Sequence, residues 1–407
     1  MMKTCNSTVS LLVEPKRKRT LHRQLLSKIF LISAAFLIGS AFVVTDYKER
    51  FAGWQFVDIL LDAKCADCKG NCRPRGAEAL PKGITAITSD LEMRPLWGPR
   101  NKHKSSESVT NLLAMAVGIK QKENVNNVVN KFTTSNDFVV MLFHYDGIVD
   151  QWRDLEWCDH AIHVSAVNQT KWWFAKRFLH PDIIYEYSYI FLWDEDLGVE
   201  HFDVQKYLSI VNEEGLEISQ PALDPDVSEV HHDLTARNNK LNVHRKIHKT
   251  LRGGRKCDQN STGPPCTGFV EMMAPVFSKA SWRCVWHMIQ NDLVHAWGLD
   301  FQLGYCSQGD RTTNIGIVDS QYLVHYGIPT LGGLTANKTS TTHSQGDQNA
   351  KVLNKEMEKM LSNQTDARSE VRKQSYVELE TFKNRWKKAV LEDSCWTDPF
   401  RSPTQQN

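Results

Sequence analysis

The sequence predicts an α/β fold, in which helices flank a mainly parallel sheet. Short apolar runs rich in β-branched and aromatic residues recur along the chain, and stretches with helical spacing separate them. This alternation is typical of helices that pack on both sides of a parallel sheet. The 407 residues are enough for one large domain or two ordinary ones, and no internal repeat is detectable.

The regular part of the pattern begins at Leu112 and reads strand, helix, strand, strand, helix, strand. The corresponding segments are LLAMAVGI, VNNVVNKF, FVVMLFHYDG, HAIHVSAV, TKWWFAKRFL and YIFLW. The strand segments are almost wholly apolar, as expected of strands buried on both faces. Helices between such strands predict parallel neighbours in the sheet.

Beyond Glu200 the pattern is looser. Two further strands are predicted in LEISQPAL and GFVEMMAPVFS, a helix with Ser278 as its N-cap in KASWRCVWHMIQNDL, and a closing pair of strands in NIGIVDSQYLVHYG. Residues 224–265 are polar, basic and rich in His and Gly. A long irregular insertion of this kind predicts a functional loop.

The N-terminus predicts a type II membrane protein. A basic cytoplasmic tail (residues 1–28) precedes an uncharged apolar segment (residues 29–45), which spans roughly 25 Å as a helix. That length suits a thin internal membrane, and the positive-inside rule leaves the bulk of the chain in the lumen. A cleaved signal peptide is the alternative, although no clear A-x-A site follows. We therefore predict a single-pass Golgi membrane protein whose main domain is lumenal.

The remaining domain boundaries follow from composition. Residues 46–80 have little periodicity and predict a stem, and residues 81–335 carry the α/β pattern of the main domain. Residues 336–407 are rich in Asn, Gln, Ser, Thr and Lys, which predicts a polar link and a peripheral C-terminal helix.

The cysteines agree with a lumenal domain, where disulfides persist. Cys257 and Cys266 enclose a turn-rich loop, CDQNSTGPPC, that a disulfide would close. The cluster CADCKGNC is open to a second interpretation as half of a zinc site, although no matching cluster lies nearby. The formal net charge of +2 shows no basic excess, so nucleic acid is not an expected partner.

Three carboxylates end the strand YIFLW in the segment WDED. Ligands of open α/β sheets bind outside the carboxyl ends of strands, so Asp194 and Asp196 are predicted to face one bound cation while Glu195 points elsewhere. Mg²⁺ and Mn²⁺ prefer such oxygen ligands together with substrate phosphates. The alternative is a solvated turn or a helix cap, because Asp is common in both.

Two more polar residues follow strand or turn ends. In HAWGLD, Asp300 comes after a glycine and after Trp297, which offers a wall for sugar stacking, so Asp300 is a candidate base. Equally, Asp300 would cap a short helix that begins FQLGY. In LVHYG, His325 is a candidate metal ligand, and the alternative is a satisfied structural histidine.

Two resemblances rest on these motifs. Blocks such as FLWDEDLGVE, NDLVHAWGLDFQLGYC and VDSQYLVHYG resemble, over residues 80–333, a plant family of uncharacterised proteins labelled lysine-ketoglutarate reductase trans-splicing related. The order of tail, anchor, stem, DxD-type turn and late W-G-x-D element also resembles type II membrane glycosyltransferases with a GT-A-like, Rossmann-type fold. No glycine-rich turn follows LLAMAVGI, so the sequence does not support a nicotinamide-dependent reductase.

The second resemblance implies a function. It implies that Asp194 and Asp196 bind Mn²⁺ or Mg²⁺ and the diphosphate of a nucleotide-sugar donor, that His325 is a further metal ligand, and that Asp300 is the catalytic base of an inverting displacement. The acceptor would be a glycan or another hydroxyl compound. The contacts to the nucleotide base cannot be assigned, and AWGLD lacks the paired acidic residues of many inverting enzymes.

Other classes remain open. A phosphatase or nuclease would need a second ligand cluster, and a glycoside hydrolase would need two carboxylates but no nucleotide. A non-catalytic carbohydrate-binding or scaffold protein would keep the aromatics without the acidic pair. The basic residues of the insertion form either a lid over the diphosphate or a solvated loop: His244, Arg245, Lys246, Arg252 and Arg255.

Overall fold

The computed structural model describes residues 73–86, 110–251, 254–328 and 348–400, with side chains from residue 369 in the last range. The predicted tail, the predicted anchor, most of the predicted stem and the CADCKGNC cluster lie outside these residues. Arg73–Asn407 forms one compact unit. Within the described ranges, no helix combines the length and the apolar character needed to cross a membrane.

The described part of the chain alternates strands and helices. The strands are β1 (Thr110–Val117), β2 (Phe138–His144), β3 (Ile162–Ser165), β4 (Tyr187–Trp193), β5 (Leu197–Gly198), β6 (Ile218–Leu223), β7 (Val243–His244), β8 (Val276–Ser278) and β9 (Ile315–His325). The α-helices are α1 (Lys122–Thr133), α2 (Lys171–Phe178), α3 (Val204–Glu213), α4 (Lys279–Met288), α5 (Arg311–Asn314) and α6 (Gln348–Glu392). Short 3₁₀ helices cover Lys82–Ile84, Ile119–Gln121, Asp150–Trp152, Cys158–His160, Asp233–Thr235 and Asp300–Cys306.

The strands form one mixed, mostly parallel sheet. Their order is β3-β2-β1-β4-β8-β6-β9-β5, and β7 pairs with β9. Strands β1, β2, β3, β4, β6 and β9 run in one direction, whereas β5, β7 and β8 run in the other. The predicted α/β class is therefore confirmed.

The order of the strands reverses at β1. The chain moves from β1 outward to β2 and β3 and then returns to the other side of β1 as β4. In open α/β sheets, ligands bind at such a reversal, outside the carboxyl ends of the strands. The strand β4 ends in the acidic triplet, so this topology directs attention to Asp194–Asp196.

Helices cover both faces of the sheet. Alternate residues of β1 point to opposite faces, with Leu112 in one apolar cluster and Leu113 in the other. Helices α1 and α3 pack on the face of Leu113, and α2, α4 and α6 pack on the face of Leu112. The core thus consists of two apolar layers that fix the strand ends.

Side-chain caps define where several helices begin. The predicted cap Ser278 accepts a hydrogen bond from the Ser281 backbone N–H at 3.0 Å at the start of α4. Thr170 caps α2 in the same way by accepting from the Trp173 N–H at 3.2 Å. Each cap satisfies an N–H group that the helix cannot pair internally.

Two strand predictions were wrong in detail. Of GFVEMMAPVFS, only Val276–Ser278 is a strand, and NIGIVDSQYLVHYG forms the single long strand β9 rather than a pair. The polar residues inside β9 suggested a turn, but Asp319 is fully buried and accepts a hydrogen bond from the Asn238 N–H at 2.7 Å. The strand therefore continues past a break in its register with β6, between Val318 and Tyr322.

The predicted C-terminal boundary also needs correction. Helix α6 was predicted to be peripheral, but Phe382, Trp386 and Ala389 are buried in the same apolar cluster as Leu80 and Ile84. The spacing of these three side chains places them on one face of the helix. The end of the predicted stem and the predicted C-terminal region are thus parts of the domain core.

Two disulfides cross-link the described residues. The predicted pair Cys257–Cys266 is present, with a sequence separation of 9, and a second bond joins Cys284 to Cys306. The second bond ties α4 to the 3₁₀ helix that begins at Asp300. It therefore helps to hold that predicted site residue in place.

Candidate active site

The acidic triplet lies between two pairings of the sheet. The Asp194 N–H donates to the Met273 carbonyl at 2.8 Å, which extends the antiparallel pairing of β4 with the segment before β8. Directly after the triplet, Leu197 pairs with His325 at the end of β9. Asp194–Asp196 therefore cross from the middle of the sheet to its edge, and they bring β4 and the end of β9 together.

Glu195 is the most extensively bonded carboxylate of the triplet. Its side chain is 6 % exposed, and it accepts hydrogen bonds from the Gly118 N–H at 2.7 Å and from the Tyr145 hydroxyl. Burial raises the pKa of the Glu195 carboxyl to about 8, although both hydrogen bonds act in the opposite direction. Glu195 therefore joins the carboxyl ends of β1, β2 and β4.

Gly118 is required for this arrangement. A Cβ atom at that position would lie 2.4 Å from the Tyr145 hydroxyl oxygen. Because glycine has no Cβ, it leaves the space that the Tyr145 hydroxyl occupies when it donates to Glu195.

Asp194 forms an ion pair with a lysine that the sequence did not indicate. The Lys171 Nζ lies 2.6 Å from Asp194 Oδ1 and also donates to the Met272 carbonyl at 2.6 Å. Lys171 is 8 % exposed, while 39 % of the Asp194 side chain remains accessible. One of the two predicted metal ligands is thus already neutralised in part.

Asp196 faces His325. The Asp196 Oδ2 lies 3.5 Å from His325 Nε2 and accepts a hydrogen bond from the Ile328 N–H at 2.9 Å. Burial, followed by the charge of Asp194, raises the pKa of the Asp196 carboxyl. Both side chains are 8 % exposed, so they lie in a largely dry setting.

The tautomer of His325 follows from its second contact. Its Nδ1 lies 3.0 Å from the Glu229 carbonyl oxygen, which can only accept a hydrogen bond. Nδ1 therefore carries a proton, and in the neutral ring Nε2 presents a lone pair to Asp196. A backbone carbonyl orients many metal-binding histidines in this way.

Asp300 is half-buried and lies near enough to the buried carboxyl of Glu271 for its charge to act on it. It opens the 3₁₀ helix Asp300–Cys306, and its Oδ1 accepts a hydrogen bond from the Phe301 N–H at 2.9 Å. Burial raises the pKa of Asp300 to about 6. Burial also raises the pKa of Glu271 to about 8, and the negative charge of Asp300 contributes in the same direction.

A short segment connects the two groups of carboxylates. The ring centroids of His231 and His325 are 6.0 Å apart, and the next N–H along the chain, that of His232, donates to Glu271 Oε1 at 2.9 Å. The structure therefore brings Asp194, Asp196 and His325 together directly, and it links Asp300 to them through residues 229–232 and Glu271.

The predicted aromatic wall has a different neighbour. Trp297 is 37 % exposed and packs edge-to-face on Tyr376 of α6, with centroids 5.0 Å apart. Gly298 has a positive φ of 92°, and a Cβ there would lie 2.7 Å from Leu379 of α6. Helix α6 thus holds the segment that precedes Asp300.

Two basic residues considered for a lid have structural contacts instead. His244 is buried in β7 and bonds Asp319 at 2.7 Å, and Arg245 bonds the Thr313 carbonyl at 2.7 Å and Glu214 at 2.8 Å. Lys246 is partly exposed in a bridge to Thr267. This part of the insertion is therefore fixed to the sheet.

Few side chains of this region could hold a metal ion. Among the described residues, no group of three or more His, Cys, Asp and Glu side chains is arranged to hold an ion. Asp196 and His325 fit as two ligands, because a carboxylate oxygen and a ring nitrogen face each other at 3.5 Å. Further ligands would have to come from Asp194, once released from Lys171, or from a substrate.

Sequence reasoning missed three polar residues of this region: Lys171, Tyr145 and Gln220. Lys171 is the first residue of a helix whose sequence pattern indicates only a packed apolar face. Tyr145 follows a strand, which is a common position for tyrosine and indicates no function. Gln220 lies within an apolar strand. A polar amide among apolar residues was the only feature of the sequence that could have drawn attention to it. Its 2.7 Å hydrogen bond to the Glu271 N–H became apparent only in the fold.

A family model described as "Protein of unknown function (DUF707)" matches residues 71–392 of the chain. The chain belongs to this family. The DUF707 match includes Asp194–Asp196, Asp300 and His325, and its last residue is also the last residue of α6. No curated protein matches this DUF707 chain.

Two solved structures are similar to this DUF707 protein at a low level. The structure of S. aureus TarS residues 1–349 is 7 % identical, with 53 % of this chain and 59 % of that chain covered and a TM-score of 0.31. The apo structure of the bifunctional glycosyltransferase WbbM is 9 % identical, with 56 % and 40 % covered and a TM-score of 0.30. The DUF707 chain thus spans 59 % and 40 % of the lengths of these two proteins.

Proposed function

We propose that this protein is a glycosyltransferase that moves a sugar from a nucleotide-sugar donor to a glycan or another hydroxyl acceptor, with Mn²⁺ or Mg²⁺ as cofactor. The observation that carries the proposal is the pair formed by Asp196 Oδ2 and His325 Nε2, 3.5 Å apart at a strand end. A carboxylate oxygen and a histidine ring nitrogen are both groups that bind metal ions in proteins.

The position of this pair supports a diphosphate ligand. It lies at the carboxyl end of β4, next to the reversal of strand order where α/β proteins bind nucleotides. Lys171 carries a buried ammonium group 2.6 Å from Asp194. In the complex, that ammonium donates to the donor diphosphate, and Asp194 becomes free to complete the ligand set with Asp196 and His325.

The chemistry is a displacement at the sugar carbon. The acceptor oxygen forms a bond to the anomeric carbon, the bond from that carbon to the diphosphate breaks, and its electron pair leaves with the diphosphate. Asp300 takes the proton of the acceptor hydroxyl, for which a pKa near 6 suits a base at neutral pH. The cation, when bound, neutralises charge on the leaving diphosphate.

The proposal keeps the predicted topology in the cell. Residues 29–45 anchor the chain in the Golgi membrane as a type II protein, with Arg73–Asn407 in the lumen, where nucleotide sugars are the donors. The disulfides Cys257–Cys266 and Cys284–Cys306 agree with an oxidising compartment.

A non-catalytic carbohydrate-binding or scaffold protein is the second candidate. The ion pair of Asp194 with Lys171 favours it, because an acidic residue that is already paired needs no metal. In that case the carboxylates stabilise the strand ends, and the protein binds glycans without a nucleotide.

Calorimetric titration of the full-length protein in detergent separates the two candidates. We expect UDP or GDP to bind in the presence of Mn²⁺ and to bind much more weakly in its absence. The variant His325→Gln should weaken this binding by at least about 10-fold, since a metal contact is lost.

A neighbouring histidine provides the matched control. His231 is half exposed and its ring lies 6.0 Å from that of His325, so His231→Gln should bind the nucleotide as the wild type does. Nucleotide binding that does not depend on Mn²⁺, or no binding of any nucleoside diphosphate, contradicts the transferase and favours the scaffold.

A further inference from the structure

Two buried polar atoms beside the carboxylate cluster have no hydrogen-bond partner. They are the Oε2 of Glu271, on a side chain that is 4 % exposed, and the Nε2 of Gln220, on a side chain that is fully buried. Buried polar groups in proteins are nearly always paired. An acceptor and a donor left open on adjacent side chains therefore indicate a site for a small polar group.

The orientation of both side chains is fixed by their other contacts. The Glu271 N–H donates to Gln220 Oε1 at 2.7 Å, so the amide cannot be flipped and its Nε2 is the atom left over. The His232 N–H donates to Glu271 Oε1 at 2.9 Å, so Oε2 is the open carboxylate oxygen. The open pair thus consists of one amide donor and one carboxylate oxygen, which is a pure acceptor once the pH exceeds the Glu271 pKa of about 8.

A hydroxyl group matches such a pair. It donates one hydrogen bond and accepts others, whereas an ammonium group can only donate and a carboxylate can only accept. A hydroxyl placed between the two atoms would donate to Glu271 Oε2 and accept from Gln220 Nε2.

The surroundings connect this pair with the candidate base and with solvent. Asp300 is close enough for its charge to act on Glu271. The rings of Phe269, His232 and Phe301 lie side by side, with centroids of Phe269 and Phe301 5.4 Å apart, and Phe301 is 36 % exposed. An apolar wall that reaches the surface beside paired polar atoms suits the face and the hydroxyls of a sugar.

We infer that Glu271 and Gln220 form a subsite that binds one hydroxyl group of a carbohydrate acceptor. The inference rests on the proposed function, since it names the place where the acceptor of the transfer is held next to Asp300. Glu271 and Gln220 orient the acceptor and select for the hydroxyl, and they take no proton in the reaction.

Ligand-observed NMR with the full-length protein at pH 9, where Glu271 is ionised, tests this subsite. The probes are methyl glycosides of glucose, galactose, mannose, xylose and arabinose, with single-deoxy analogues of any that bind. We expect at least one glycoside to bind and Glu271→Gln to weaken it by about 10-fold, the cost of one lost hydrogen bond to a buried group. In that variant the His232 N–H keeps the amide oxygen, so an NH₂ group replaces Oε2 and the hydroxyl loses its acceptor.

A second variant and a control guard against misfolding. Gln220→Leu removes the donor at similar size and should weaken the same glycoside. One deoxy analogue should bind the wild type and both variants equally weakly, because it lacks the hydroxyl group that hydrogen-bonds Glu271 and Gln220. Ser219→Ala, on the same strand, affects only a contact with Tyr207 at 2.7 Å and should bind the glycoside normally.

The outcomes separate this inference from the proposed function. Glycoside affinity that both variants leave unchanged, or no glycoside binding by the wild type, overturns the subsite and assigns the two atoms to an internal water. Glycoside binding that depends on Glu271 and Gln220 but occurs without Mn²⁺-dependent nucleotide binding upholds the subsite and rejects the transferase.

Discussion

Glu195 shows at the scale of single residues how a short motif can mislead. In a DxD-type turn the middle residue is the variable one, so the sequence directed attention to its neighbours. In the fold, Glu195 is the residue that bonds the ends of β1 and β2 through Gly118 and Tyr145. The buried carboxylate therefore positions the two aspartates that flank it.

This role predicts a pH-dependent stability. The Glu195 pKa is raised from 4.5 to about 8, so the folded protein binds more protons than the unfolded chain between these values. Stability should therefore fall as the pH rises from 4.5 to 8. Glu195→Gln removes this ionisation, and we expect a smaller decline in the free energy of unfolding between pH 5 and pH 8, measured with urea.

Glu213→Gln is a suitable control, because Glu213 is an exposed carboxylate on α3. It should retain the full wild-type decline. Glu271 contributes in the same direction as Glu195, so the decline in Glu195→Gln should be reduced and not abolished. Identical pH profiles for the wild type and Glu195→Gln would show that Glu195 is not the buried titrating group we describe.

The position of Asp194 and Asp196 was predictable from the sequence, whereas their role stays a prediction. Asp194 and Asp196 lie at the end of an apolar strand, and the sequence places them there without knowledge of the fold. Lys171 precedes Asp194 by a helix and a strand, and nothing in its surroundings distinguishes it from a surface lysine. Its ion pair depends on how α2 packs against the segment before β8, which the sequence does not encode locally.

At the scale of elements, α6 shows that average composition does not predict whether a helix is buried. Residues 336–407 are polar overall, and that average predicted a peripheral helix. One face of the helix nevertheless carries Phe382, Trp386 and Ala389 at helical spacing, and this face is buried in the core. The pattern was present in the sequence, but it was diluted by the polar residues around it.

Helix α6 should therefore contribute to global stability. Phe382 is 3 % exposed, and Phe382→Ala should lower the free energy of unfolding by about 3 kcal/mol, through lost burial and a residual cavity. Leu391 lies on the same helix but is 85 % exposed, so Leu391→Ala should change stability by less than about 0.5 kcal/mol. Equal, small effects in urea or thermal unfolding would show that the helix is peripheral after all.

The same helix links stability to the site. Glu378 accepts hydrogen bonds from the His295 N–H and ring, both at 2.8 Å, and Leu379 packs over Gly298. These contacts hold the segment that leads to Asp300. A chain that ends at residue 335, the predicted domain boundary, would lack all of them.

Strands were predictable in type but not always in extent. The apolar runs of β1, β2 and β4 are recognisable because both of their faces are covered. The strand β9 is not, because the buried Asp319 interrupts its apolar pattern and is satisfied by His244 and Asn238 from the distant insertion. A buried polar residue inside a strand can be predicted only when its hydrogen-bond partner is known.

At the scale of the whole molecule, the sheet order explains why the candidate site lies where it does. The strand order reverses at β1, next to β4, and β9 reaches the end of β4 by pairing with β5. Residues far apart in sequence, Asp196 and His325, meet at this edge. The alternation of strands and helices predicted the layers, whereas the strand order and the meeting of these two residues required the fold.

The central claim is that Asp196 and His325 bind a divalent cation. Crystals of the protein soaked with Mn²⁺ and UDP, with diffraction recorded near the manganese absorption edge, test it most directly. We predict an anomalous peak in contact with Asp196 Oδ2 and His325 Nε2, with the Lys171 ammonium moved from Asp194 to the diphosphate. A site without such a peak, with Lys171 still bonded to Asp194, would contradict the account.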